Sequence, residues 1–314
     1  MAVIKAEGVS IRYMTGDFKD IGIKEYVIRR LTRNYHVKEF WADWDVSFEL
    51  NAGDMLGIIG TNGAGKSTLL KAVSGIMIPT KGKIAVKGTI AALLELTAGF
   101  DKELTVRENA YLRGALLGYT RDFLNEKYDE IIEFAELQNF QDRPFKQLSS
   151  GMRSRLAFSI ACLVKPDVII LDEVLSVGDG AFRKKSGDKM KEILAGGVTG
   201  ILVSHSVSQV REMCNKILWL DHGKQVTFTQ DVDHVCDAYE AFLRTKILPQ
   251  NEEEIDRMAQ EHQEYLRLEY EKKQKSEMER LKDMLEEAKG EAGMQAALSL
   301  IREKCPEMLN EDIN

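Results

Sequence analysis

The sequence predicts an α/β domain with a largely parallel sheet, followed by a charged helical extension, and three observations carry that expectation. Short apolar runs at Met55–Ile59, Val168–Leu171, Ile201–Ser204 and Ile217–Leu220 are separated by stretches of helical periodicity, as in parallel strands joined by helices. A glycine-rich loop lies directly between one such run and a helix-like stretch. After about Thr245 the composition changes, and Asn251–Lys289 becomes dense in Glu and Lys with no Gly or Pro.

Along the chain, Val3–Tyr13 reads as a strand ending near an aromatic residue. Ile21–Arg33 is helix-like, with Ile23, Val27 and Leu31 on one face and Lys24, Arg29, Arg30 and Arg33 elsewhere. Trp44–Leu50 is a second strand, and Asn51–Asp54 turns the chain into Met55–Ile59. A helix is expected from about Lys66 to Ser74, and two strands over Gly82–Leu94, split at Lys87–Gly88. The pattern is helical between Val106 and Phe140 and again over Ser149–Val164. In the extension, a helix over Asn251–Lys289 is interrupted at Gly290 and Gly293, and a shorter one follows at Gln295–Glu303.

The 314 residues suffice for one large domain or two ordinary ones, and 44% hydrophobic with 30% charged residues suits a globular chain with one unusually charged element. The formal charge is -7, but from Asn251 onward Asp and Glu outnumber Lys and Arg by 18 to 10. The acidity therefore belongs to the extension, and no basic nucleic-acid surface is expected on the main domain. Cys162, Cys214, Cys236 and Cys305 have no CxxC spacing, so reduced thiols are expected rather than a metal cluster. The opening MAVIKAEGVSIRY has no apolar stretch before a small-residue cleavage site, so no signal peptide is expected. No run approaches the roughly eighteen apolar residues of a membrane span.

The chemistry starts at Gly60-Thr61-Asn62-Gly63-Ala64-Gly65-Lys66-Ser67, which fits GxxxxGK[ST] between a predicted strand and a predicted helix. Glycines let backbone N–H groups turn inward around phosphates, and the helix N-terminus adds positive potential. Lys66 is expected to reach the β/γ-phosphates, with Thr68 beside it and the Ser67 hydroxyl on Mg2+. Val168–Leu171 runs into Asp172 and Glu173. Beside a phosphate loop, Asp172 is placed to hold Mg2+ and Glu173 to polarise an attacking water. Leu148-Ser149-Ser150-Gly151-Met152 opens a helix, with Ser149 or Ser150 as N-cap.

With these motifs in this order, residues 1–245 resemble the ATP-binding cassette (ABC) family. The signature LSGGQ of that family is matched with Ser150 for its first Gly and Met152 for its Gln. The resemblance implies a P-loop ATPase core with a helical subdomain at about 101–164, and residues 246–314 as a separate extension. It implies ATP and Mg2+ as ligands, and a homodimer in which Ser149, Ser150, Gly151 and Met152 of one subunit meet the γ-phosphate held by the other. Asp179 would face across the dimer, and His205 would contact the γ-phosphate and orient Glu173. Where the family has a Gln ahead of the helical subdomain, this chain has Leu94-Glu95-Leu96, so Glu95 takes the metal- or water-binding place. Tyr13 is the first candidate to stack on adenine, with Phe40 and Trp41 also on offer.

The long segment Gly16–Trp41, with FWADWDVSFEL, LLELTAGFDKELTVREN, SSGMRSRLAFSIA and DEVLSVGDGAFRKK, is similar to the subgroup exporting lipid-linked polysaccharides: capsule, O-antigen and teichoic acid. That similarity implies a peripheral subunit on the cytoplasmic face of a bacterial plasma membrane, beneath two copies of a polytopic permease that carries the glycan. Phe100 and Leu104, within Ala98–Glu108, would seat a coupling helix of the permease. The basic stretch Ile21–Arg33 would lie near anionic headgroups or be a solvated helix face. Residues 246–314 lack the alternating strands of a carbohydrate-binding sandwich, so teichoic-acid or capsule export is favoured, the two undivided. The alternative reading is a soluble ATPase of the same class with no permease.

Overall fold

The computed structural model describes residues 2–16, 37–92, 99–163, 166–172, 180–204 and 206–287. The predicted helices Ile21–Arg33 and Gln295–Glu303 lie outside the described residues. Two compact units are present, one of residues 1–236 with 250–252, the other of residues 237–249 with 253–314.

The first unit is organised on nine strands: β1 (Ala2–Gly16), β2 (Val37–Asn51), β3 (Met55–Ile59), β4 (Lys81–Val86), β5 (Ile90–Ala92), β6 (Val168–Asp172), β7 (Thr199–Val203), β8 (Lys216–Asp221) and β9 (Lys224–Thr229). Their order is β4-β1-β2-β9-β8-β3-β7-β6-β5. The run β8-β3-β7-β6-β5 is parallel, as predicted, whereas β4-β1-β2 and the β8–β9 hairpin are antiparallel. Strands β3, β7 and β8 are buried along their whole length, so β3 and the inner residues of β7 and β8 read as apolar runs in the sequence.

Helix α1 (Lys66–Val73) follows β3 and buries Leu69, Leu70, Ala72 and Val73 among Ile58, Val46 and Leu220. The stretch expected to be helical from Val106 to Phe140 is two helices, α2 (Val106–Leu116) and α3 (Arg121–Ala135), closed by a 3-10 turn at Gln138–Phe140. Gly118, with φ of 89°, turns the chain between them, and Thr120 caps α3 by accepting from Phe123 N. A capping box of Thr105 and Glu108 starts α2. With α4 (Ser150–Leu163), these helices enclose a second core of Val106, Tyr128, Ile131, Phe145, Leu156 and Ile160. It falls within the 101–164 span expected for a helical subdomain.

Helices α5 (Gly180–Ala195) and α6 (Val207–Met213) complete the parallel crossovers. Helix α7 (Val232–Thr245) contains the division between units at residues 236 and 237. In the second unit α8 (Glu252–Glu287) matches the predicted Asn251–Lys289 closely. Ile255, Met258 and Ala259 on its first turns are buried, and from residue 263 its described side chains are exposed.

Candidate nucleotide-binding site

The loop Gly60–Ser67 joins β3 to α1 as the sequence predicts. Gly60 and Gly65 have φ of 151° and 104°, outside the range open to most side chains. A Cβ at Gly60 would strike Leu220 O, and one at Gly65 would strike Asp43 Oδ1 and Ala42 O. The backbone of the loop is therefore pressed onto β8 on one side and β2 on the other. The β8–β9 turn ties it down, since Gly223 N donates to Ala64 O at 3.0 Å and Trp44 N donates to Gly223 O at 2.7 Å.

Lys66 is 7% exposed, and its Nζ donates to Gly60 O at 2.6 Å and to Thr61 O at 3.0 Å. Its ammonium is thus held at the mouth of the loop. A cavity of about 310 Å³ opens there, lined by Asn62 through Thr68 and by Tyr13, Phe40, Ala42 and Val203. Ser67 is exposed to it, and Thr68 is half-buried. The loop's inward glycines, its ammonium and the start of α1 fit a polyphosphate, and the Ser67 hydroxyl fits the hard ion such a ligand carries.

Two aromatic side chains share the lining. Tyr13 and Phe40 are cross-strand partners in the β1–β2 ladder, and both line the cavity. Trp41 points to the other face, edge-on to Trp44 with centroids 4.7 Å apart, with Arg12 and Lys81 over its ring. Of the three aromatic residues expected to offer a stacking surface, the structure therefore brings Tyr13 and Phe40 to the phosphate loop and turns Trp41 away.

The signature segment stands where α4 begins. Met152 N donates to Ser149 Oγ at 3.2 Å, so Ser149 is the N-cap, and Arg153 N donates to Ser149 O at 3.0 Å. Ser149 and Ser150 are exposed, Gly151 and Met152 half-buried, and none of the four lines the phosphate-loop cavity of its own chain. Asp172 ends β6 beside β7. Glu95, Glu173, Asp179 and His205 lie outside the described residues.

Phe100, expected to help seat a partner helix, is half-buried: its ring stacks on Phe145 at 4.6 Å, nearly parallel, with Arg113 over it, at the edge of the helical core. A larger cavity of about 580 Å³ lies between α2 and α3, with Tyr111, Leu112, Tyr119 and Leu124 in its walls.

Asp43 is the residue that sequence reading missed. It is fully buried beneath Gly65, neither carboxylate oxygen has a hydrogen-bond partner among the described residues, and burial raises its carboxyl to about 7. Simple alternation from the buried Val46, Phe48 and Leu50 would face Asp43 outward. The ladder instead carries two extra residues on β2, one between Val46 and Asp43 and one between Asp43 and Trp41. Asp45, with φ of 56°, sits in the first, and Ser10 Oγ accepts from its N–H at 3.0 Å.

A phosphate loop between a buried parallel strand and a helix, with aromatic residues from an antiparallel wing, defines a nucleoside-triphosphate-binding cassette. Comparison with known proteins agrees. The ABC transporter family profile matches residues 44–176. The O-antigen export system ATP-binding protein RfbB of Klebsiella pneumoniae is 40% identical over 224 residues, covering 71% of this chain and 91% of the relative. The teichoic acids export ATP-binding protein TagH of Bacillus anthracis is 40% identical over 241 residues, covering 77% of this chain and 43% of the relative, so the chain spans less than half of TagH. A dimeric ATP-binding cassette solved in a post-hydrolysis state with ADP and Pi superposes with a TM-score of 0.55 at 20% identity, covering 72% of this chain and 98% of that one, which shows the shared fold. The chain belongs to the ABC transporter family and has the fold of its ATP-binding cassettes.

Proposed function

We propose that this chain is the ATP-hydrolysing subunit of an exporter of lipid-linked polysaccharide or teichoic acid. The observation that carries the ATPase reading is the loop Gly60–Ser67, with buried Lys66 at its mouth and Tyr13 and Phe40 across the cavity. The names of the relatives, which export teichoic acids and O-antigen, support the cargo class. Residues 1–245 form the cassette in this reading, with 246–314 as its extension.

The adenine stacks on Tyr13 and Phe40, and the phosphates lie along Gly60–Thr68 with Lys66 on the β/γ-phosphates. Ser67 and Asp172, with Glu95, are the residues that hold Mg2+, which neutralises phosphate charge when bound. Glu173 polarises the attacking water, and His205 orients it. Two chains close as a homodimer, so that Ser149, Ser150, Gly151 and Met152 of one present a capped helix start to the γ-phosphate of the other, with Asp179 at the seam. Catalysis is then mainly positioning and charge stabilisation of a loose phosphoryl transition state.

Among the described residues no helix is long and apolar enough to cross a membrane. In this reading two copies of a separate polytopic permease supply the path, and the chain sits at the cytoplasmic face of the plasma membrane. The groove between α2 and α3 is the surface on which we seat the permease, with the half-exposed Phe100 and Leu104 as the further candidates.

The test is purification of tagged Glu173→Gln from its host's membranes in Mg·ATP. Recovery of a dimer with a polytopic subunit and bound glycolipid is expected. A dimer without a membrane partner would remove the export reading and leave the ATPase. Normal ATP turnover in Glu173→Gln would remove Glu173 from its role.

A further inference from the structure

Within the second unit three metal-ligating side chains converge. Asp237 and Glu240 are three apart on α7 and share one face of it. His262 comes from α8, about three turns past its start. Asp237 and His262 are each 6% exposed, Glu240 is half-buried, and one ligand atom from each lies within 4.8 Å of the others. It is the one such group of His, Cys, Asp and Glu among the described residues.

Two details point to a ligand. His262 Nε2 stands 3.4 Å from Glu240 Oε2, beyond the roughly 3.2 Å limit of a good N–H···O bond. Two ligands each about 2.1 Å from one tetrahedral ion are about 3.4 Å apart. Gln263 Nε2 donates to Asp237 Oδ2 at 2.8 Å, the kind of outer contact that orients a ligating carboxylate.

We propose that Asp237, Glu240 and His262 form a site for one divalent transition-metal ion, which fastens α8 to α7. One imidazole nitrogen with two carboxylate oxygens suits zinc or manganese, whereas magnesium and calcium favour oxygen alone. Three protein ligands leave a position for water, reached from the half-exposed Glu240 side. Closing the widest separation, within 4.8 Å, to that of two ligands on one ion takes a shift of about 1.4 Å. Binding requires a neutral imidazole and ionised carboxylates, so it weakens on acidification.

The test uses the full-length chain, untagged, stripped with chelator and free of nucleotide, titrated with Zn2+ against a colorimetric competitor. One ion per chain is expected, unaffected by millimolar Mg2+. His262→Gln and Asp237→Asn should each weaken it at least about 10-fold, with the far-ultraviolet circular dichroism unchanged. No binding, or binding that survives both substitutions, overturns the site. Should either variant lose its helical signal, Co2+ added to the unaltered chain decides. Intense visible bands of a four- or five-coordinate ion without thiolate charge transfer support the site. A weak aquo-ion spectrum, or thiolate bands from cysteine, overturns it.

Discussion

Asp43 sets a balance between two requirements of the phosphate loop. Gly65 must approach β2 closely, and a small, flat side chain beneath it permits that approach. The carboxyl is taken wholly out of water, so the folded protein holds its proton up to about pH 7, against an ordinary value of 3.8. Between those values the unfolded chain has released a proton that the folded chain retains. Stability therefore falls as pH rises through this window and levels off above about 7. From pH 5 to pH 8 the loss from this one group is roughly 3 kcal/mol. Asp43→Asn should flatten that slope. Urea unfolding of both proteins at pH 5 and pH 8 checks it, and equal pH slopes would remove Asp43 as the source.

Single elements also carry unequal loads, and the entry to α2 shows why. Asn109 is fully buried, and its Nδ2 donates to Asp101 O, Leu104 O and Thr105 O while its Oδ1 accepts from Asp101 N at 2.8 Å. This one side chain thus fixes the loop before the helical core. Asn109→Ala strands several backbone groups and should cost about 3 kcal/mol, against about 1 kcal/mol for loss of the cap in Thr105→Ala. Urea midpoints of the two variants give the ranking. The same contrast explains what was legible in the sequence. Met55–Ile59 and the phosphate loop were read to the residue, because a buried apolar run and a glycine pattern are local signals. Helices α5, α6 and α7 and strand β9 go unpredicted by the sequence. Helix α5 spans sixteen residues but buries only a few apolar side chains, among them Phe182 and Met190, and α6 has seven residues. Asp43 was invisible because its burial depends on pairing with β1, which no local pattern encodes. The Asp237, Glu240 and His262 group needs two helices to meet, and its residues stand 25 positions apart at the extremes, so spacing alone gave no hint.

At the scale of the whole molecule, the two units divide the charge as well as the chain. The phosphate loop lies in the first, while the acidic run from Asn251 belongs almost wholly to the second. A ligand that binds only the folded first unit stabilises it by mass action, about 2.7 kcal/mol at a hundredfold excess over Kd. Scanning calorimetry with Mg·ATP should accordingly raise the transition of the unit that holds Lys66. In Lys66→Ala that rise should vanish at the same nucleotide concentration. A shift that persists in the variant would mean that Lys66 is not the anchor of the phosphates.

The two extra residues of β2 bear on how this chain tolerates changes of length. Each alone would invert which side of the ribbon every upstream residue faces, but together they cancel, and Phe40 returns to the same side as Val46. Parity along the ribbon is therefore conserved across the pair. Losing one residue at either irregularity lets the strand close up and leaves Phe40 opposite Tyr13. Losing one between Val46 and Leu50 offers no such slack, and turns the aromatic wall of the cavity outward. Natural or engineered deletions should therefore be found at 42 or at 44–45 and be absent from the four residues that follow.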